Sequence, residues 1–286
     1  MGEVEFESEA RGYDAVLVRF NTRVTQRVMQ GGRLKAVLTP TTGLDHIDLQ
    51  AARRHKVRVY HLRGKKKFLR QVSATAELTV ALMLAVLRNL PRAVDAVKQG
   101  HWQPGPFRGR EVFEKTLGII GCGRLGGKVA RVCRALGMRV VVFDPYTLRL
   151  PGGVERASSL QSLLSCSDVI SLHLPLLPET KHMIGRREFE QIKAGAVLIN
   201  TSRGAIVDSQ ALLDALEARK LSAAALDVVE NEHGIAQQGR HLLIDYARDH
   251  VNLLITPHIG GSTFESVERT DLFILGRFFK DEGLIA

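Results

Sequence analysis

Cysteine is scarce in this chain: Cys122, Cys133 and Cys166 are the only three in 286 residues. They are odd in number and widely spaced, with no C-x-x-C pair. That excludes a disulfide framework and a cysteine zinc site and fits reduced thiols. Long hydrophobic runs are also missing. The longest, residues 78–87, is interrupted by Thr79 and falls short of the roughly twenty residues a bilayer span needs. The first residues, MGEVEFESEARGYD, hold no apolar signal core and several acids, unlike a secretory leader. A cytoplasmic protein with no membrane partner is expected. No internal repeat or low-complexity tract is evident.

The composition, 45% hydrophobic and 24% charged, is that of a soluble globular protein, and the length suits one large or two ordinary domains. The formal net charge of +10 fits nucleic acid, but equally an anionic cofactor and an anionic substrate drawn into a cleft. The densest basic run is Arg63, Lys65, Lys66, Lys67 and Arg70, with Phe68 as its lone aromatic. Charge runs usually form solvated faces, so a solvated loop is expected here and nucleic acid is the less favoured partner.

One stretch organises the chain. Residues 116–144 read TLGIIGCGRLGGKVARVCRALGMRVVVFD: an apolar strand, a G-x-G-x-x-G turn, an amphipathic helical pattern, a glycine stop and a second apolar strand. A lone glycine cluster is weak evidence, but here both flanks match a dinucleotide-binding turn. Gly121 permits the turn, Gly123 lets backbone approach a pyrophosphate, and Gly126 lets the helix lie close on the strand. Asp144 closes the second strand, where a carboxylate meets an adenosine ribose and repels a 2'-phosphate. NAD is therefore expected over NADP. No arginine follows Asp144 at once; Arg149 is the nearest in sequence.

Upstream, residues 13–19 and 34–38 read as short buried strands around a polar helical stretch near 25–30. A loop, Thr39-Pro40-Thr41-Thr42-Gly43, leads to a helix capped by Asp45 or Asp48, then a strand at 57–60. This alternation predicts a small parallel sheet. Residues 77–90 predict a helix apolar nearly all round, stopped by Pro91 and buried inside the protein or at a subunit interface. Residues 93–105, with Trp102, predict a helix and a loop. From 116 onward six apolar runs, at 117–120, 139–143, 168–172, 196–200, 222–227 and 252–255, predict a doubly wound parallel sheet.

Ligands of such sheets bind beyond the carboxyl ends of the strands. Past the fourth predicted strand stands Arg203, past the fifth Asp227, Glu230 and Glu232, and past the sixth His258. Alone, each is an ordinary surface or loop residue. Delivered to one edge of a sheet that carries a dinucleotide turn, they are harder to dismiss.

At these residues the sequence resembles the D-isomer-specific 2-hydroxyacid dehydrogenases, in GCGRLG with Asp144, SLHLPLLPET (171–180), INTSRGAIVD (199–208), ALDVVENE (225–232) and TPHIGGST (256–263). The resemblance implies an NAD-dependent enzyme acting on a small D-2-hydroxy acid. Its Rossmann domain (76–263) would be inserted in a smaller flavodoxin-like α/β substrate domain (1–75 and 264–286). By the same resemblance Arg203, Glu232 and His258 are catalytic, with Glu232, twenty-nine positions after Arg203, favoured over Glu230 as the histidine's partner. Gly121, Gly123, Arg124, Leu125, Gly126, Asp144, Pro175, Thr201, Asp227 and Gly261 would contact NAD, Asp227 near the carboxamide. Thr41, Thr42 and Gly43, together with Arg203, would bind the substrate; no metal is implied.

These roles agree with the chemistry. A guanidinium holds a carboxylate and polarises a ketone; a histidine delivers a proton near neutral pH. Thr41 stands where the family usually has a glycine, which points to an unusual substrate. No regulatory domain is expected after the last helix. The amino-terminal part reads as shortened, with residues 4–6 as the remnant of a strand. A homodimer is expected, because a reduced first domain would leave the apolar helix at 77–90 uncovered. The alternative is an NAD-binding corepressor-like member without catalysis.

Overall fold

A computed structural model describes residues 3–232, 235 and 239–285. The chain divides into two compact units, Met1–Val72 with Ser262–Ala286, and Ser73–Gly261.

The smaller unit holds three parallel strands, β1 (Ala15–Leu17), β2 (Ala36–Leu38) and β3 (Arg58–Tyr60), side by side in that order. Asp48, not Asp45, caps the helix Leu49–Arg54, its carboxylate accepting from Ala51 N. The carboxyl-terminal helix Phe264–Asp281 buries Ile274 against Leu38, Tyr60 and Leu62. Phe278 meets Tyr60 edge-on at 5.5 Å, and Arg19 pairs with Asp271 at 2.6 Å. Both ends of the chain thus build one core.

Residues 4–6 are not a strand: Glu3–Ala10 is a helix. The V-E-F-E alternation has a β period, but glutamate and alanine favour helix. Phe6 and the buried Ala10 lie one helical turn apart and pack on the same core.

The larger unit is a seven-stranded parallel sheet: β4 (Thr116–Ile120), β5 (Arg139–Phe143), β6 (Glu155–Arg156), β7 (Val169–Leu172), β8 (Ala196–Asn200), β9 (Leu221–Leu226) and β10 (Leu253–Ile255). Its spatial order is β10-β9-β8-β7-β4-β5-β6. The chain builds outward from β4 to one side, then returns to β7 and builds to the other. The point of reversal opens a crevice at the carboxyl ends of the strands. Strand β6 escaped the sequence reading because its two residues are exposed and charged; Glu155 is held by Arg139 of β5 at 2.6 Å.

Lys66–Leu87 is long and apolar enough in composition to be weighed as a membrane span. A turn breaks it into Lys66–Leu69 and Ala74–Leu87, and the longer helix buries Ala76, Thr79, Leu82, Met83 and Leu87. Pro91 does not stop that helix. The helix ends at Arg88, Asn89 turns the chain with φ +51°, and Pro91 lies in the first turn of the next helix, Leu90–Lys98. Proline is well suited there, since the first helical N–H groups have no intrahelical partner.

Candidate active site

Beyond β4 the glycines do separate jobs. Gly121 has φ +88°, and a Cβ on it would stand 2.6 Å from His173 O; one on Gly126 would stand 2.2 Å from Gly121 O. Neither position tolerates a side chain. A Cβ on Gly123, at the start of the helix Arg124–Ala135, would meet nothing within 4 Å. Open space at a helix N-terminus is what a pyrophosphate requires, so the residues present fit a dinucleotide.

Asp144 follows β5 and is fully engaged. Its Oδ2 accepts from Cys122 N and Thr147 Oγ1, both at 2.7 Å, and its Oδ1 from Tyr146 N and Thr147 N, both at 2.9 Å. Burial pushes this carboxyl up, but the four donors outweigh it and hold it below the usual carboxylate range. A ribose hydroxyl would exchange with one of these donors, the Thr147 hydroxyl being the easiest to rotate away. Arg156 of β6 donates to Asp144 O at 2.8 Å. A cation bound to this turn therefore comes from the strand the sequence reading missed.

The remaining cofactor candidates line the same strand ends. Burial pulls the Arg124 guanidinium below its ordinary value, while Leu125 is half-buried and Pro175 and Gly261 are exposed. Thr201 is buried, its hydroxyl 2.8 Å from that of Thr79.

The catalytic candidates rest on loops after β8, β9 and β10. Asn200 fixes the first: its amide donates to Arg203 O at 2.9 Å and its oxygen accepts from Ser202 N and Oγ. Arg203 Nη1 donates to Ser202 O at 2.7 Å. Gly204 then packs backbone on backbone against the second loop, since a Cβ there would stand 1.9 Å from Val229 C and 2.3 Å from Glu230 N. This contact sets the spacing between Arg203 and the segment leading to Glu232.

Glu232 Oε1 lies 2.7 Å from His258 Nδ1. A carboxylate only accepts, so Nδ1 carries the proton in this pair. His258 has φ +55°, a conformation that side chains rarely adopt without support. Asp227 supplies it. Asp227 is 1% exposed, its Oδ1 accepting from Thr256 Oγ1 at 2.6 Å and Ile259 N at 2.8 Å, and its Oδ2 from Gly260 N at 2.7 Å. Burial pushes the Asp227 carboxyl up, opposed by those three donors and by His258. The sequence reading gave Asp227 a cofactor contact and missed its grip on both sides of His258.

Glu230 is turned elsewhere: its Oε1 meets His182 Nε2 at 2.8 Å, and its carbonyl lies 2.9 Å from His241 Nε2. The sequence carried no signal for this tether, because His182 lies forty-eight positions away.

Thr41, Thr42 and Gly43 lie in the smaller unit. The Thr41 hydroxyl donates to Gly43 O at 2.7 Å and meets Thr39 Oγ1 at 2.9 Å, which in turn meets the buried His46 Nε2 at 3.1 Å. A hydrogen-bonded chain thus stiffens this loop, and His46 was not anticipated from sequence.

A family model described as D-isomer specific 2-hydroxyacid dehydrogenase, NAD binding domain, matches residues 80–260. A hydroxypyruvate reductase of Thermotoga maritima is 36% identical over 273 residues, covering 95% of this chain and 85% of the relative. A D-3-phosphoglycerate dehydrogenase of Archaeoglobus fulgidus is 38% identical over 93% of this chain, which spans 49% of that longer protein. Among solved structures, D-lactate dehydrogenase of Aquifex aeolicus in complex with NAD and lactic acid has a TM-score of 0.80 at 33% identity, covering 97% of this chain and 85% of that one.

Proposed function

Since the chain belongs to the D-isomer-specific 2-hydroxyacid dehydrogenases, whose NAD-binding domain model spans most of its larger unit, we propose that it interconverts a small D-2-hydroxy acid and its 2-oxo acid. The observation that carries this is the 2.7 Å pair of His258 and Glu232, gripped by Asp227 and spaced from Arg203 by Gly204.

The roles follow from charge and geometry. Arg203 binds the substrate anion and polarises its ketone. His258, with Nδ1 committed to Glu232, delivers a proton from Nε2 to the forming alkoxide. Glu232 fixes the ring's tautomer and stabilises the imidazolium. The turn at Gly121, Gly123 and Gly126 and the helix behind it hold NAD; bound NADH supplies the hydride. In the smaller unit the backbone N–H groups of Thr42 and Gly43 suit a carboxylate. Steady-state NADH oxidation against a panel of 2-oxo acids tests the reading. Tight NADH binding with no turnover of any of them would favour the non-catalytic alternative.

The proposal extends to a homodimer. The helix Leu90–Lys98 buries no residue, and Leu90, Val94 and Val97 on it, with Trp102 beyond, are exposed at 53%, 45%, 51% and 83%. A second copy of the chain is the occupant proposed for this face. A reducing, cytoplasmic setting is also proposed, supported by three free cysteines, with Cys133 pushed up to about 12 by burial.

A further inference from the structure

The basic run at residues 63–70 keeps Arg63, Lys66, Lys67 and Arg70 exposed, as expected of a solvated face, but it is anchored from beneath. Phe68 stacks on Phe273 with ring centroids 3.9 Å apart, Leu69 is buried, and Gln71 O accepts from Arg269 at 2.5 Å. These anchors fix a short helix, Lys66–Leu69, onto the carboxyl-terminal helix. They also fix the turn before it. Lys65 N donates to Leu62 O at 3.0 Å, Gly64 turns the chain with φ +83°, and Leu62 N donates to Thr41 O at 2.9 Å. The turn is therefore stapled to the loop assigned to the substrate. Arg63 Nε donates to Thr42 O at 3.3 Å, which commits one edge of the guanidinium to that loop and leaves the two Nη groups as a fork.

The charge here is one-sided. Burial, followed by the cations Arg63, Arg277 and Lys65, holds the neighbouring His61 imidazole below its ordinary range. Among the described residues no carboxylate forms an ion pair with Arg63 or Lys65. Cations beside one another repel, and an oxyanion between them relieves that repulsion. One carboxylate, already provided for by the N–H groups of Thr42 and Gly43, does not account for a further fork at the same loop. We propose that Arg63, seconded by Lys65, forms a second anion subsite at the loop of residues 41–43, and that the substrate is a 2-oxo acid bearing a second oxyanion, a carboxylate or a phosphate ester, on its tail. This rests on the reading that the loop receives the substrate.

The test compares matched 2-oxo acids: 2-oxoglutarate against 2-oxopentanoate for a carboxylate tail, and phosphohydroxypyruvate against hydroxypyruvate for a phosphate. Wild-type protein is expected to favour an anionic tail in kcat/KM by about tenfold or more, the worth of a good guanidinium–oxyanion contact. Whichever pair shows this names the oxyanion. Arg63→Met is expected to shrink that ratio by about tenfold through KM, with Arg63→Lys restoring part of it. Equal losses for both members of a pair, or a wild-type preference for neutral tails, would overturn the subsite. Calorimetry of the same acids with NADH-loaded protein separates the two readings. Binding of a dianion that depends on Arg63 without turnover upholds the subsite and overturns the dehydrogenase reading. Turnover without dependence on Arg63 does the reverse, and neither binding nor turnover overturns both.

Discussion

Replacing Gly204 with alanine isolates the contact that spaces the loop of Arg203 from the segment leading to Glu232. The added Cβ would stand 1.9 Å from Val229 C, 2.2 Å from Val229 O and 2.3 Å from Glu230 N. Carbon atoms in contact prefer about 3.5 Å, so the two loops must part by roughly 1.5 Å. Backbone lies on both sides, and no rotamer change can absorb the strain. A displacement of about 1 Å among reacting groups costs on the order of 100-fold in rate, and overpacking costs about 1–3 kcal/mol of stability. Gly204→Ala should therefore lower kcat for NADH oxidation about 100-fold. NADH affinity, which the proposal assigns to the turn at Gly121, Gly123 and Gly126, should change by less than about threefold, because that turn lies after a different strand. Stopped-flow absorbance measures the first and nucleotide fluorescence the second. A variant with kcat within about threefold of wild type would refute the inference that the contact positions Arg203 against the loop of Glu232.

Glu232→Gln keeps the shape of the His258 partner and removes its charge, so kcat should fall about 10- to 100-fold, whereas Glu230→Gln, bonded to His182, should stay within about threefold; the reverse pattern in steady-state kinetics would exchange their roles. Burial lowers His173 to about 4, so the fold keeps it neutral while the unfolded chain binds a proton. The stability this provides is full above the ordinary value of 6.5 and is lost as pH falls from there toward about 4. A proton NMR titration should give a midpoint near that lower value; a midpoint near 6.5 would show an open ring. Sedimentation at micromolar concentration should give a dimer, and Val94→Glu with Val97→Glu should release monomer; a monomeric wild type would remove the proposal for the exposed face of the helix Leu90–Lys98.

The sequence is legible where one residue type serves one steric need. Gly121 and Gly126 are glycines because any Cβ would strike backbone, and that requirement shows through without coordinates. Buried parallel strands read as apolar runs for a similar reason, since both faces are covered. What stayed hidden depends on partners distant in the chain or on weak local signals. Strand β6 is two charged residues, and the helix Glu3–Ala10 alternates like a strand. Asn89, not Pro91, ends the apolar helix through a backbone conformation that composition does not disclose. At the site, residue types and strand-end positions drew attention to Arg203, Glu232 and His258. The grip of Asp227 on the loop of His258, the tether from His182 to Glu230 and the chain from His46 to Thr41 are long-range hydrogen bonds, and they became visible only once the fold brought the partners together.

The central claim is that His258, oriented by Glu232, protonates a 2-oxo acid as hydride arrives from NADH. Single-turnover mixing of NADH-loaded protein with the 2-oxo acids of the matched pairs, followed by chiral analysis of the product, tests it most directly. The account predicts loss of NADH absorbance in step with formation of the D-hydroxy acid, slowed about 100-fold or more in His258→Gln. Formation of the L-hydroxy acid, or an unchanged rate in His258→Gln, would contradict it.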